Sequence, residues 1–85
     1  MTQSGAETLG LKALTFLAGS PEALDRFLTL SGTDAESLRQ RAGEAECLAA
    51  VLEFLLTNEE LLTRYCEDEG VNPRAVHLAA ARLGR

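Results

Sequence analysis

Apolar residues recur along the chain at three- and four-residue spacing, and glycines punctuate them. This is the pattern of short amphipathic helices. A first helix is predicted from about Glu7 to Ala18, ending at Gly19. Ser20 caps a second, with Pro21 at its first position, and Gly32 breaks it after Leu30. Thr33, with Glu36 three residues on, forms a capping box for a third helix to about Ala42. A fourth spans about Glu44 to Leu56. Thr57 or Asn58 caps a fifth that carries Glu59 and Glu60 in its first turn and ends at Gly70. Asn72-Pro73 opens a sixth, to about Leu83. The linkers are short, so consecutive helices must be neighbours. The fold class is all-α: a compact bundle of about six short helices in one domain over residues 1–85, with 1–5 and 84–85 expected to fray.

Shifting the chain by 38 residues superposes these helices on one another. Leu14, Phe16 and Leu17 fall on Leu52, Phe54 and Leu55; Glu22, Leu24 and Arg26 on Glu60, Leu62 and Arg64; Gly32 on Gly70, and Ala42 on Ala80. That is eight identities in the thirty positions from 13 to 42. Phe27 meets Tyr65, the caps Ser20 and Asn58 coincide, and Asp34 meets Asn72. The expectation is two pseudo-repeated three-helix units, about 7–43 and 44–85. The first and fourth helices should be central, because Lys12 and Glu53 are the lone charges in their apolar runs. Glu22 with Arg26, and Glu60 with Arg64, have the spacing of weak surface ion pairs.

Composition supports the all-α assignment. Leucine (16) and alanine (13) dominate, isoleucine is missing, and valine occurs three times. The net charge of −5 opposes binding to nucleic acid or to an anionic membrane surface. No secretory signal is visible in the first residues, and the longest nearly uncharged run, Cys47 to Leu56, is about half of what spans a bilayer. Two cysteines without an export signal read as reduced thiols of a cytoplasm. Seven arginines against one lysine, with abundant Ala, Leu and Gly, suggest a GC-rich bacterial genome.

Several stretches resemble a known family. They are Ala13-Leu14-Thr15-Phe16-Leu17-Ala18, Pro21-Glu22 to Arg26-Phe27-Leu28, Gly32, Leu38-Arg39, Ala49-Ala50-Val51-Leu52 with Phe54-Leu55-Leu56, Glu60-Leu61-Leu62, Cys66 and Asn72-Pro73. Together, from about Leu9 to Leu83, they are similar to a family of small all-helical alphaproteobacterial proteins, a domain of unknown function. These are packing and capping motifs, specific to a fold and silent on chemistry. The resemblance implies a bacterial cytoplasmic setting and transfers no activity, cofactor or site residue.

Catalytic apparatus is scarce. His77 is the lone histidine and aligns with exposed-looking Arg39. Cys47 and Cys66, ten residues before and nine after Thr57, would come close in a helical hairpin. A thiol-based redox or small-molecule-binding protein using Cys47, Cys66 and His77 is the alternative reading. Two buried thiols acting as small apolar side chains is the commoner case. Glu67, Asp68 and Glu69 form an acidic run at the end of the fifth helix, without metal-site spacing. No phosphate loop, nucleophile elbow or zinc spacing is present. No catalytic, cofactor-binding or metal residues are assigned.

The preferred reading is a non-catalytic helical module that binds another protein or a second copy of itself. Leu9, Leu11, Leu30 and Leu48 exceed what one small core uses. With Glu67, Asp68 and Glu69 they form the expected interaction surface.

Overall fold

The computed structural model describes residues 1–84; Arg85, one of the residues expected to fray, lies outside the described part. It contains six helices: α1 (Gln3–Ala18), α2 (Pro21–Ser31), α3 (Ala35–Arg41), α4 (Ala45–Thr57), α5 (Glu59–Glu69) and α6 (Pro73–Leu83). No strand occurs among the described residues, and no helix is long and apolar enough to cross a membrane.

Two helix starts differ from the sequence expectation. α1 begins at Gln3, because the Thr2 hydroxyl accepts the Gly5 N–H at 3.0 Å and Ala6 is fully buried. A cap and a buried side chain in the first turn place the helix start four residues before the predicted Glu7. α3 is capped by Asp34, whose carboxylate accepts the Ser37 N–H at 2.8 Å, so the Thr33–Glu36 capping box does not form. Asp34 rather than Thr33 occupies the N-cap, so its carboxylate takes the N3 amide of Ser37 and Thr33 lies one residue outside the helix. Ser20 sits at the N-cap of α2 but makes no side-chain capping bond. Asn58 caps α5 through the Leu61 N–H, and Asn72 caps α6 through the Arg74 N–H. Gly32 and Gly70 end α2 and α5 in the left-handed region, at φ 69° and 64°, where a side chain would be strained.

The structural centre consists of α1, α4 and α6, each packed along the other two. α2 and α5 flank this trio, and α3 is the least engaged helix. α4 meets the expectation of a helix with neighbours on most sides: it buries Cys47, Leu48, Ala49, Val51, Leu52, Phe54 and Leu55. α1 does not. It buries one stripe, Ala6, Gly10, Ala13 and Leu17, and exposes the opposite stripe of Thr8, Leu11, Lys12 and Thr15. The buried stripe is small because α4 comes very near. A Cβ on Gly10 would lie 2.8 Å from the Leu48 Cβ, closer than carbon atoms pack.

The 38-residue correspondence holds for α2 with α5 over their full lengths, and for the starts of α3 and α6. It also appears in the aromatic core. Phe16 and Tyr65 meet edge to face at 5.6 Å, and Phe27 and Phe54 do the same at 5.5 Å. Moving each number by 38 turns one pair into the other, so each half lends its second-helix aromatic to the first helix of the other half. The expected ion pairs Glu22–Arg26 and Glu60–Arg64 are not formed; the one ion pair among the described residues is Arg41–Glu44, at 3.3 Å and exposed. Long side chains on a wet helix face gain too little from pairing to hold one geometry.

A candidate docking cleft between α1 and α5

Tyr65 sets the spacing of α1 and α5. Its ring is fully buried against Phe16, and its hydroxyl donates to the Leu9 carbonyl at 2.9 Å. Burial, and then the charge of Glu69, push its pKa far above the ordinary tyrosine value, so the hydroxyl remains a donor. Beside this contact lies a cleft of about 550 Å³. Thr8, Leu11, Lys12, Thr15, Phe16 and Gly19 line one side, and Arg64, Asp68 and Glu69 the other. The Thr8 and Thr15 hydroxyls donate to the Ser4 and Leu11 carbonyls, both at 3.0 Å, which leaves their lone pairs facing outwards as acceptors.

This cleft gathers three residues of the sequence-predicted surface: Leu11, which is 46% exposed, with Asp68 and Glu69. Glu67 is exposed on the same helix and lines no part of the cleft. Leu30, 71% exposed, lies elsewhere, on a smaller cleft of about 210 Å³ between α2 and α4. Leu9 is half-buried against the core. Leu48 must be removed from the surface: it is 1% exposed and packs on Gly10. It looked surplus only because a small-residue seam on α1 creates room for it, and a seam is visible only once the partner helix is known.

The residues that sequence reasoning missed are Lys12 and Arg64, with Thr8 and Thr15 beside them. One signal was available. Lys12 is the lone charge in the apolar run of α1, and Thr8, Leu11, Lys12 and Thr15 share helical spacing, which marks a solvent stripe on a helix otherwise taken as enclosed.

The redox alternative finds no assembled site. Cys47 and Cys66 are free and buried, and burial raises both thiol pKa values; the Arg41 charge only partly opposes this at Cys47. A raised thiol pKa leaves little thiolate at neutral pH. Cys47 lines a cavity of about 160 Å³ with Phe27, Leu38 and Arg41, whereas Cys66 and His77 do not reach it, and His77 is exposed on α6. No group of three His, Cys, Asp or Glu among the described residues is placed to hold a metal ion.

A family model described as a protein of unknown function (DUF3572) matches residues 3–85, and the chain therefore belongs to that family. No curated protein and no solved structure matches it.

Proposed function

We propose that this member of the DUF3572 family is a non-catalytic interaction module that receives a segment of another protein in the α1–α5 cleft. The observation that carries the reading is Leu11. It is an exposed leucine in the middle of a long helix, inside a cleft of about 550 Å³ whose charged residues have no ion-pair partner among the described residues. Clefts that hold ligands combine an apolar floor with a few polar groups that fix orientation. Here Leu11 and Phe16 offer the floor, and Lys12, Arg64, Asp68 and Glu69 a rim of mixed charge that suits a polar segment carrying both signs. A second copy is the poorer occupant, because two chains of net charge −5 repel each other.

We also read the protein as cytoplasmic and bacterial, with the alphaproteobacterial origin implied by the sequence resemblance. Two buried thiols seated as apolar side chains support a reducing compartment. The reciprocal aromatic pairs support a duplicated origin of the two halves.

The test is parallel affinity capture from native cytoplasm with the wild type, Leu11→Asp, and the double change Asp68→Lys with Glu69→Lys. All three positions are exposed, so the circular dichroism spectra should coincide. The expected result is one protein enriched on the wild type and lost from both variants. Equal capture by all three removes the cleft reading. A wild-type dimer in sedimentation that Leu11→Asp disperses would transfer the cleft to self-association.

A further inference from the structure

α3 is held to the bundle by very little. It has seven residues, and Leu38 is its one buried side chain. The Asp34–Ser37 bond stays within the segment, and the one side-chain bond beyond it, Arg41 to Glu44, is exposed and reaches only the N-cap residue of α4. Cavities lie on both sides of Leu38: one of about 260 Å³ against Leu14, Ala18 and Leu24, and one of about 160 Å³ against Phe27, Cys47 and Ala50. A helix of this length has almost no stability of its own in water, so its docking rests on that single leucine. Glycines bound it at both ends. Gly32 already adopts a left-handed conformation, and neither Gly32 nor Gly43 has any neighbouring atom within 4 Å of where a Cβ would stand. Both ends have room to pivot.

We propose that α3 is a latch that swings off as a unit about Gly32 and Gly43 while the other five helices stay packed, uncovering an apolar seam on α1, α2 and α4 and releasing Cys47 to solvent. The inference does not depend on the α1–α5 cleft. Weakly anchored segments open at low free energy without global unfolding. Cys47 lies directly beneath the latch, lining the cavity under Leu38. Cys66, equally covered at 8% exposure, lines neither cavity beside α3. The chain thus carries its own reporter and its own control.

The experiment is thiol labelling with an aromatic disulfide reagent under native conditions, on the Cys66→Ala and Cys47→Ala chains so that each rate is read alone. Cys47 should react at least about tenfold faster than Cys66, with almost no dependence on dilute urea, as a local opening requires. Adding Leu38→Ala should raise the Cys47 rate by up to about thirtyfold, the equilibrium effect of one deleted leucine side chain, and keep Cys47 well ahead of Cys66 in the same background. Equal rates with the same urea dependence would mean that both thiols wait for global unfolding, and would overturn the latch. Hydrogen exchange on the unmodified protein gives a second reading that needs no variant: amides of Leu38 to Arg41 should exchange well before those of Val76 to Ala80. Matching protection in α3 and α6 would overturn the proposal as well.

Discussion

α3 and α6 start 38 residues apart, and each follows a capping side chain, Asp34 in one case and Asn72 in the other. They share the start of an apolar stripe, Leu38 and Ala42 against Val76 and Ala80. α6 nevertheless lies between α1 and α4 and buries Val76, Ala79, Ala80 and Leu83, while α3 rests on the outside and buries Leu38 alone. Two positions account for the difference. Where α6 has Ala79, fully buried, α3 has Arg41, exposed and paired with Glu44. A guanidinium cannot enter the seam between two apolar helices without a partner. Where α6 has Ala81 and continues to Leu83, α3 meets Gly43 and stops. A capped start and a shared first stripe position thus lead to a core helix in one half and a peripheral one in the other, through a side chain too charged to bury and one turn too few.

Exchanging the decisive residue should break the comparison most severely. Ala79→Arg puts the α3 residue into the buried seam and should cost about 4 kcal/mol or more, leaving the chain largely unfolded by circular dichroism at 25 °C. A folded Ala79→Arg variant would show that the arginine does not keep α3 out. Truncating the two anchors comes next. Leu83→Ala removes a side chain that is 2% exposed and should cost about 3 kcal/mol in urea unfolding. Leu38→Ala should cost about 2 kcal/mol or less, because existing cavities already flank it and the rest of the bundle does not depend on it. Equal losses would place α3 and α6 on the same energetic footing.

A smaller difference separates the two aromatic pairs. Tyr65 alone adds a hydrogen bond, to the Leu9 carbonyl, whereas its counterpart Phe27 has none to offer. Tyr65→Phe should therefore cost about 1 kcal/mol, with little loss of packing, measured again in urea.

The smallest effect is one of pH. The Asp34 carboxylate is held below its ordinary value of 3.8 chiefly by the bond from the Ser37 N–H. A depressed folded pKa means that the carboxylate's contribution is complete above 3.8 and is lost as pH falls through the lower folded value. Asn72 does not titrate. On acidification, Cα chemical shifts of residues 35–41 should move towards coil before those of 73–83 do. Simultaneous loss would mean that the Asp34 cap does not govern the stability of α3.

Much of this architecture could be read from local signals. Proline after a capping residue and glycine after an apolar stripe placed all six helices, because caps and turn conformations depend on residues only three or four apart. The site was less legible. The sequence groups Leu11, Asp68 and Glu69 with Leu9, Leu30, Leu48 and Glu67 in one surface, and the fold brings only the first three into one cleft. Lys12 and Arg64 escaped because each looked like an ordinary surface charge on its own helix.

The chain by itself determined where its helices begin and end, and that their apolar stripes would make a bundle. Those facts follow from backbone conformation and side-chain period, which are properties of neighbours in sequence. Only the tertiary structure decided which stripes are seams and which are surface. Leu48 is core because Gly10 lies opposite it, and Leu11 is exposed because it sits on the face of α1 that no other helix covers. α6 rather than α3 fills the middle. Burial is a relation between residues far apart along the chain, and the free energy that selects it belongs to the assembled contact and not to either partner.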